Sequence, residues 1–366
     1  MKQAFVGVSR LASRELQSFL SFKKLVPKKA LFQKLLYIVY TKYMTYDLII
    51  IGGGPAGAAA AVYAARKRLQ TLFITSEWGG QSVVSEQIYN WIGTTSLSGN
   101  ELAENFKKHV LANAIGTENL KEAEDLGSTL LVKEGEKVIS LTRTVLENSF
   151  EVTTENGEKF LAKTILITSG SGRRKLEAKN ADRLEHKGLT YCASCDGPLF
   201  TGQDVAVVGG GNAGFETAAQ LLAYCKSVTL LHRSESFDKA DEITVDKVLK
   251  NPKMKAVKNV EILEIQGDKF VEGIVYKDRA TSQETELKVS GIFVEIGQIP
   301  NTNFVKDLVP LDEIGRIKIN PLNQKTLVPG IWAAGDCTDV LYHQNNIAAG
   351  DAVRALEDIY LAIHTK

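Results

Sequence analysis

The sequence contains few of the residues that build disulfide frameworks and metal centres. Its 366 residues include only four cysteines and five histidines, and only Cys192 and Cys195 are closely spaced. A secreted disulfide scaffold would be richer in cysteine, and a zinc site of the usual kind would need a second closely spaced pair. We therefore expect no metal, and we expect a reducing, cytoplasmic compartment.

A strong net charge and a long uninterrupted apolar run are also missing. The net charge of +1 excludes the basic field that a nucleic-acid binder usually carries. The longest uncharged run, residues 48–65, contains Gly52-Gly53-Gly54-Pro55, which would break a membrane-spanning helix. We therefore expect neither nucleic acid nor a membrane as a partner. With 44% hydrophobic residues, the chain can bury the core of two domains.

Basic charge is concentrated in residues 1–43, which hold nine basic side chains and one acid and leave the remaining chain at −7. A targeting peptide is one interpretation, although lysine outnumbers arginine seven to two. A membrane-surface helix and an over-extended start, with Met44 as the true first residue, are the others. The sequence leaves this choice open, and residues 1–45 are treated as a basic N-terminal extension.

Two similar strand–turn–helix–strand units follow, 157 residues apart. The first has the strand 47–51, the turn Gly52-x-Gly54-x-x-Gly57, the alanine-rich helix 58–65 and the strand 70–75. The second has the strand 204–208, the turn Gly209-x-Gly211-x-x-Gly214, the helix 215–223 and the strand 227–231. A glycine turn between a strand and a helix is typical of dinucleotide-binding units. The sequence therefore predicts an α/β fold with two Rossmann-like dinucleotide-binding domains.

The two units differ at the position that faces the ribose. Glu77 lies twenty residues after Gly57, where an acid can accept hydrogen bonds from ribose hydroxyls. The second unit has the basic pair His232-Arg233 instead, which suits a 2′-phosphate and favours NADP over NAD. The alternative is that this pair only solvates the end of a strand. The remaining candidate cofactor residues in the two turns are Pro55, Ala56, Asn212, Ala213 and Glu216.

Two glycine turns mark the predicted domain crossings. A hairpin over residues 150–160, turning at Asn156-Gly157, precedes the strand 162–168 and the turn 169–172. A matching strand and turn occupy residues 291–300. We therefore expect a first domain made of residues 46–172 and 291–366, with the second domain, residues 173–290, inserted within it.

The segment Cys192-Ala-Ser-Cys195-Asp196 carries the most reactive chemistry. Two thiols at this spacing can close a small disulfide ring, and Asp196 could move protons as the dithiol forms. Near the C-terminus, Gly335-Asp336 follows a short apolar strand, and the acid can bind a sugar hydroxyl of the first nucleotide. Cys225 and Cys337 are interpreted as small buried residues.

With these motifs together, the chain from Tyr46 to Leu361 resembles the low-molecular-weight thioredoxin reductase family, most of all the flavoprotein component of alkyl hydroperoxide reductase without its N-terminal thioredoxin-fold domain. The resemblance implies FAD in the first domain, a swinging inserted domain and a homodimer. It implies that Cys195 faces the flavin, that Cys192 attacks the partner and that Asp196 is the acid. The flavin contacts it implies, beyond the first glycine turn and Glu77, are Gly79, Gly80, Gln81, Asn90, Gly335, Asp336, His343 in place of the family's arginine, and Gln344.

One departure from the family affects the electron donor. The NADPH-using members of the family carry three cationic side chains after the second strand of the second unit. This chain has His232-Arg233-Ser234 there, and Asp238 stands at the position of the third cation. NADPH, NADH and a non-nicotinamide donor all stay open, and the two nicotinamide dinucleotides are favoured. We expect a reductase of a thioredoxin-like or glutaredoxin-like protein, which must be a separate partner. The alternatives are a dithiol oxidase that uses oxygen and a flavoprotein redox sensor or ferredoxin-fed reductase.

Overall fold

The computed structural model describes residues 45–85, 87–115, 129–144, 149–238 and 240–365, and the expectations about residues 1–43 lie outside this range. The strands are β1 (Thr45–Gly53), β2 (Thr71–Trp78), β3 (Leu130–Glu134), β4 (Val138–Arg143), β5 (Phe150–Thr154), β6 (Lys159–Ile167), β7 (Ser171–Arg173), β8 (Leu189–Thr190), β9 (Asp204–Val208), β10 (Ser227–Leu231), β11 (Met254–Val257), β12 (Val260–Gln266), β13 (Gly273–Asp278), β14 (Glu284–Lys288), β15 (Gly291–Val294), β16 (Gln298–Pro300) and β17 (Ile331–Ala333). The α-helices are α1 (Pro55–Arg66), α2 (Gly99–Ala112), α3 (Ala181–Leu184), α4 (Ala193–Asp196), α5 (Asn212–Leu221), α6 (Glu242–Leu249) and α7 (Asn345–His364).

The chain forms two compact units, and the first contains β1–β6, β17, α1 and α7. Its parallel strands follow the order β3-β2-β1-β6, with β17 also beside β6, and β5 and β4 extend the sheet in antiparallel fashion. Leu48, Ile49 and Ile50 are fully buried. A run of buried residues of this kind is expected for a parallel strand covered on both faces.

Helix α1 lies against the sheet through small side chains, as the sequence predicts. Ala60, Ala61 and Ala64 are completely buried, and α1 also packs against α7. The helix begins at Pro55, three residues before the predicted start. A proline fits the first helical turn because its missing N–H has no partner there in any case.

The second unit contains a parallel sheet of order β11-β10-β9-β15-β8, with α5 connecting β9 to β10. An antiparallel sheet, β12-β13-β14, and the pair β7-β16 complete it. Its core includes Val207, Phe215 and Phe293, all fully buried. The predicted α/β fold class is confirmed. None of the helices in the described part of the chain has both the length and the apolar character of a membrane span.

The predicted hairpin is confirmed, since β5 and β6 are antiparallel around Gly157. Two segments differ from the predicted domain limits. The sequence predicts the return to the first domain near Gly291, but β15 pairs with β9 and β8 and belongs to the second unit. The segment Gln81–Ala103 also belongs to the second unit. The first difference arises because strand pairing between residues far apart in the chain, here β15 with β9, is not visible in the local pattern.

Two glycines of the first unit, Gly330 and Gly157, differ in the space available for an added side chain. Gly330 has a φ of +93°, and an added Cβ would lie 2.7 Å from the ring of Phe150. Gly157 also has a positive φ of +79°, but its added Cβ would meet no described atom within 4 Å. We expect Gly157→Ala to cost about 1–2 kcal/mol, from the left-handed backbone alone. Gly330→Ala should cost about 1–3 kcal/mol more, because it also overpacks the core.

Urea unfolding of the two variants measures this difference, with the wild type as the reference. Equal losses of stability in the two variants would show that the contact between Gly330 and Phe150 does not restrict the side chain at position 330.

Candidate active site

The first glycine turn joins β1 to α1, and backbone contacts within the unit require two of its glycines. A Cβ on Gly52, whose φ is +116°, would collide with the carbonyl group of Thr168. A Cβ on Gly57 would collide with the carbonyl oxygen of Gly52. A Cβ on Gly54, by contrast, would meet no atom of the described residues within 4 Å. Gly54 therefore faces open space at the N-terminus of α1, where a phosphate group can approach the backbone.

The end of β2 adjoins this turn. The N–H of Gly79 donates a hydrogen bond of 2.9 Å to the carbonyl of Gly53, and a Cβ on Gly53 would collide with the carbonyl oxygen of Glu77. A Cβ on Gly80 would lie 3.5 Å from the Cα of Gly54. The structure thus brings the predicted ribose ligand, Glu77, and the predicted glycine pair beside the first glycine turn.

The turn at Gly335 and Asp336 lies between the first turns of two helices. A Cβ on Gly335 would lie 3.4 Å from the Cβ of Ala56 in α1 and 3.3 Å from the Cβ of Ala348 in α7. The Nδ1 atom of His343 is 3.3 Å from Oδ1 of Asp336. This buried nitrogen has no hydrogen-bond partner within the described part of the chain, so its contact with Asp336 is not oriented as a hydrogen bond.

These features fit the nucleotide part of FAD. Helix α1 begins at Pro55 with no capping side chain among the described residues and no acid in its first turn, so its N–H groups and dipole suit an anion. Gln344 is the N-cap residue of α7. Gln81 and Asn90 lie in the segment Gln81–Ala103 of the second unit, and their flavin contacts stay a prediction.

In the second unit, Cys192 and Cys195 form a disulfide with a Cα–Cα distance of 5.3 Å. Cys192 is the N-cap residue of α4, and its Sγ accepts a hydrogen bond of 3.2 Å from the backbone N–H of Cys195. The disulfide predicted from the CxxC spacing is therefore present.

Thr190, at the end of β8, links the two ends of the CxxC segment. Its hydroxyl donates a short hydrogen bond to the carboxylate of Asp196 and accepts one of 3.3 Å from the N–H of Cys192. Thr190 is not among the residues that the sequence predicts for the site. Its position two residues before Cys192 was the available signal, but nothing in the local pattern shows that the chain turns back there.

Helix α5 supports the CxxC segment. The hydroxyl of Ser194 donates a 3.2 Å hydrogen bond to Oε1 of Gln220. A Cβ on Gly197 would collide with the hydroxyl of Tyr224, just after the end of α5. The same helix begins at the second glycine turn, so one element carries the predicted dinucleotide residues at its N-terminus and contacts the dithiol segment near its C-terminus.

The second glycine turn repeats the geometry of the first. A Cβ on Gly209, whose φ is +124°, would collide with the carbonyl oxygen of Glu295, and a Cβ on Gly214 would collide with that of Gly209. Gly211 is the N-cap residue of α5, and no described side chain caps the helix. Asn212 accepts a hydrogen bond of 2.6 Å from the N–H of Asp241. Ala213 and Glu216 are exposed on the first turns of α5.

Glu295, which is not among the predicted site residues, directly follows β15 and lies against this turn. Its Oε1 accepts a hydrogen bond of 2.8 Å from the hydroxyl of Thr217 in α5. Burial raises the pKa of its carboxyl group to about 7, although the Thr217 hydroxyl and the positive charge of Arg173 both oppose this shift. A local sequence pattern cannot reveal such a residue, because the burial depends on β15 lying beside β9.

In the loop after β10, one of the two predicted phosphate contacts packs against the second glycine turn. The ring of His232 lies against Gly210, where an added Cβ would be 2.7 Å from it, and its Nε2 is 3.0 Å from the carbonyl oxygen of Ser236. Burial lowers the pKa of His232 below its usual value. The imidazole is therefore mostly neutral at pH 7. Arg233 is exposed, and Asp238 accepts a 2.5 Å hydrogen bond from the Ser236 hydroxyl.

The two remaining cysteines have the character predicted for them. Cys225 and Cys337 are free and buried. Burial raises the pKa of the Cys225 thiol and raises that of Cys337 to about 11, so both are weak nucleophiles at neutral pH. Among the described residues, no group of three or more histidine, cysteine, aspartate or glutamate side chains is arranged to hold a metal ion.

Comparison with known proteins identifies relatives in sequence. The chain is 37% identical over 310 residues to a Bacillus subtilis (strain 168) protein named NADH dehydrogenase. It is 38% identical over 316 residues to a protein of Staphylococcus aureus (strain MSSA476) that is named as a component of alkyl hydroperoxide reductase. Each match covers 85% of this chain but only 57% of the relative, so the chain spans little more than half the length of these proteins.

Solved structures of thioredoxin reductases have the same fold. That of Streptococcus pyogenes MGAS5005 has 31% sequence identity and a TM-score of 0.75, covering 88% of this chain and 99% of that one. That of Giardia duodenalis has 30% identity and a TM-score of 0.77, covering 87% and 100%. The family model for pyridine nucleotide-disulphide oxidoreductases matches residues 46–355. The chain, with its two glycine turns and its redox-type disulfide, therefore belongs to the pyridine nucleotide-disulphide oxidoreductase family and is similar to the low-molecular-weight thioredoxin reductases.

Proposed function

We propose that this chain is an FAD-dependent reductase that passes electrons from a nicotinamide dinucleotide, through the Cys192–Cys195 disulfide, to the disulfide of a partner protein. The disulfide, held in the same unit as the second glycine turn, carries this proposal. Bound FAD would supply the two-electron chemistry between the hydride donor and the disulfide. The residues that would hold its nucleotide part are Gly52, Gly54, Gly57, Glu77 and Asp336.

Cys192 is the sulfur that the local geometry favours as the nucleophile. Two electrons and two protons convert the disulfide into two thiols. The N–H of Cys195 points at Sγ of Cys192, and this hydrogen bond would stabilise a thiolate there. The thiolate would attack the partner's disulfide and release one partner thiol. Cys195 would then displace the second partner thiol and restore the ring, leaving the partner reduced.

Asp196 is in the right place to handle the protons of this exchange. It lies next to Cys195 in the chain, and the hydrogen bond from Thr190 fixes its carboxylate relative to the backbone of Cys192. Thr190 would act as a positioning residue, because its hydroxyl bonds to both ends of the CxxC segment through the carboxylate and a backbone N–H rather than through either sulfur.

The partner that we propose is a thioredoxin-like or glutaredoxin-like protein, and we propose that the reductase works as a homodimer. The names of the relatives, thioredoxin reductase and alkyl hydroperoxide reductase, support a partner that carries a disulfide. Ser194, inside the disulfide ring, is exposed, and so are Pro198 and Leu199 shortly after it.

The electron donor that the loop after β10 favours is NADH. Among the described residues of this loop, His232–Asp238, Arg233 is the only group that is fully charged and positive at pH 7, since His232 is packed and mostly neutral. Glu235 and Asp238 add negative charge that would repel a 2′-phosphate. The B. subtilis relative, named NADH dehydrogenase, agrees with this choice.

Anaerobic titration of the purified, FAD-loaded protein with NADH and NADPH tests both the cofactor and the donor. We expect NADH to bleach the flavin absorbance and NADPH to act more slowly. Ser234→Arg with Asp238→Arg should improve NADPH use by roughly ten- to hundredfold, the equivalent of about 1.5–3 kcal/mol, which is the contribution of one hydrogen bond between an arginine and the 2′-phosphate. Glu286→Gln, on the exposed strand β14, is the control for a simple change of net charge. Failure of both nucleotides to reduce the flavin would refute the proposed activity.

Trapping experiments test the roles of the two cysteines. Cys195→Ser should accumulate a mixed disulfide between Cys192 and a thioredoxin-like partner, because the resolving thiol is missing. Cys192→Ser should form little or none, and both variants should keep their flavin. Non-reducing electrophoresis and intact mass measure the adduct, and Cys225→Ala is the matched control with an intact ring. Equal trapping by the two serine variants would contradict the proposed order of attack.

The contribution of Thr190 can be separated from overall folding. Thr190→Val should slow reduction of the partner by roughly tenfold, the scale of one lost charge-assisted hydrogen bond. The KM for the partner should stay unchanged, because Thr190 positions groups that react and does not bind the partner. Thr201→Val, which removes a nearby hydrogen bond to Pro198, is the control. A change in KM alone would assign Thr190 to partner binding instead.

A further inference from the structure

Glu295 occupies the same position in the second unit that Thr168 occupies in the first. The carbonyl oxygens of Thr168 and Glu295 are the atoms that exclude a Cβ from Gly52 and Gly209, respectively. Both residues follow a strand that is parallel to, and paired with, the strand before the glycine turn. One turn therefore has a neutral hydroxyl group beneath it, and the other has a carboxyl group.

The carboxyl group of Glu295 lies largely out of solvent between β15 and α5. The hydroxyl of Thr217 donates to it, and the charged groups that act on it are Arg173 on β7, which favours the carboxylate, and Glu216 on α5, which opposes it. The net effect of burial and these neighbours leaves its pKa at about 7. A small change in nearby charge therefore changes its protonation at neutral pH.

The second glycine turn is where the pyrophosphate of the donor would bind. The sheet order β10-β9-β15-β8 places β9 and β15 side by side, and ligands of such sheets bind beyond the carboxyl ends of strands where the order reverses. A pyrophosphate at the N-terminus of α5 would bring negative charge close to Glu295. Two like charges in a poorly hydrated site repel strongly unless one is neutralised.

We propose that Glu295 takes up a proton when the second unit binds a nicotinamide dinucleotide, so that affinity for the dinucleotide falls as the pH rises. This inference rests on the proposed function, since it assumes that the donor binds at the second glycine turn. In the free protein the carboxyl group is neutral below about pH 7 and charged above it. Bound phosphate raises the pKa further, so affinity is highest below pH 7 and declines above it.

Calorimetric titration of the holoprotein with 1,4,5,6-tetrahydro-NADH, a reduced analogue that donates no hydride, measures this coupling. Between about pH 6 and pH 8.5 we expect the Kd to rise by roughly tenfold, since each pKa unit of coupling corresponds to a factor of ten. Near neutral pH, buffers of different ionisation enthalpy should reveal net proton uptake. Glu295→Gln, which keeps the acceptor for Thr217, should bind with a Kd that changes little with pH. Glu286→Gln, an exposed acid on β14, is the control and should behave as the wild type.

A second variant should shift the pH at which affinity for the dinucleotide declines, and a purely structural role of Glu295 would not produce this shift. Thr217→Val removes the hydrogen bond that favours the carboxylate. The decline in affinity should therefore begin at a higher pH than in the wild type. His232 also lies against the second glycine turn, but it is present in both the wild type and Glu295→Gln, so the comparison of these two proteins separates its titration from that of Glu295.

The outcomes separate the two claims. Binding that is independent of pH in the wild type, or a pH dependence that persists in Glu295→Gln, overturns the role of Glu295 and leaves the proposed reductase intact. An absence of binding at every pH overturns the dinucleotide site itself, and this inference with it.

Discussion

The architecture depends on a backbone contact that only glycine permits. In each unit the last glycine of the turn lies against the carbonyl oxygen of the first, Gly57 on Gly52 and Gly214 on Gly209. A side chain at either position would push the helix away from the strand that it follows. This contact places the N-terminus of α1 and that of α5 directly at the carboxyl ends of their sheets. The phosphate-binding character predicted for both turns follows from that placement.

The elements closest to these turns were predictable because their signals are local. The strand 204–208 and the strand 227–231 have the bounds that the sequence predicts, and the Asn156-Gly157 hairpin is present. The CxxC spacing likewise predicts a ring that the structure contains. Each of these features depends on residues within a few positions of one another. Turn chemistry and side-chain periodicity are sufficient to define them.

The features that the sequence did not reveal depend on contacts between distant residues. β15 joins the second sheet by pairing with β9, more than eighty residues earlier, and this pairing places the side chain of Glu295 largely out of solvent. His232 is a residue type that can contact a phosphate, but packing against Gly210 and Phe237 takes it partly out of solvent and lowers its pKa, which favours the neutral imidazole. In both cases the chemistry of a side chain is changed by its burial. Burial is a property of the assembled sheet and not of the local sequence.

Thr168 and Glu295 distinguish the two glycine turns as proposed ligand sites. The hydroxyl of Thr168 donates to the carbonyl oxygens of Ile51 and Gly52, so it is satisfied within the first unit and adds no charge that a bound phosphate must overcome. Glu295 contributes a carboxyl group whose charge depends on pH in the neutral range. A cofactor that stays bound gains from the first arrangement, because its phosphates meet no titrating neighbour. The second arrangement, with a titrating carboxyl group beside the phosphates, is compatible with a substrate that must bind and leave in every cycle. A carboxyl group that is neutral while the phosphates are present and charged after they leave weakens binding without any change in the fold.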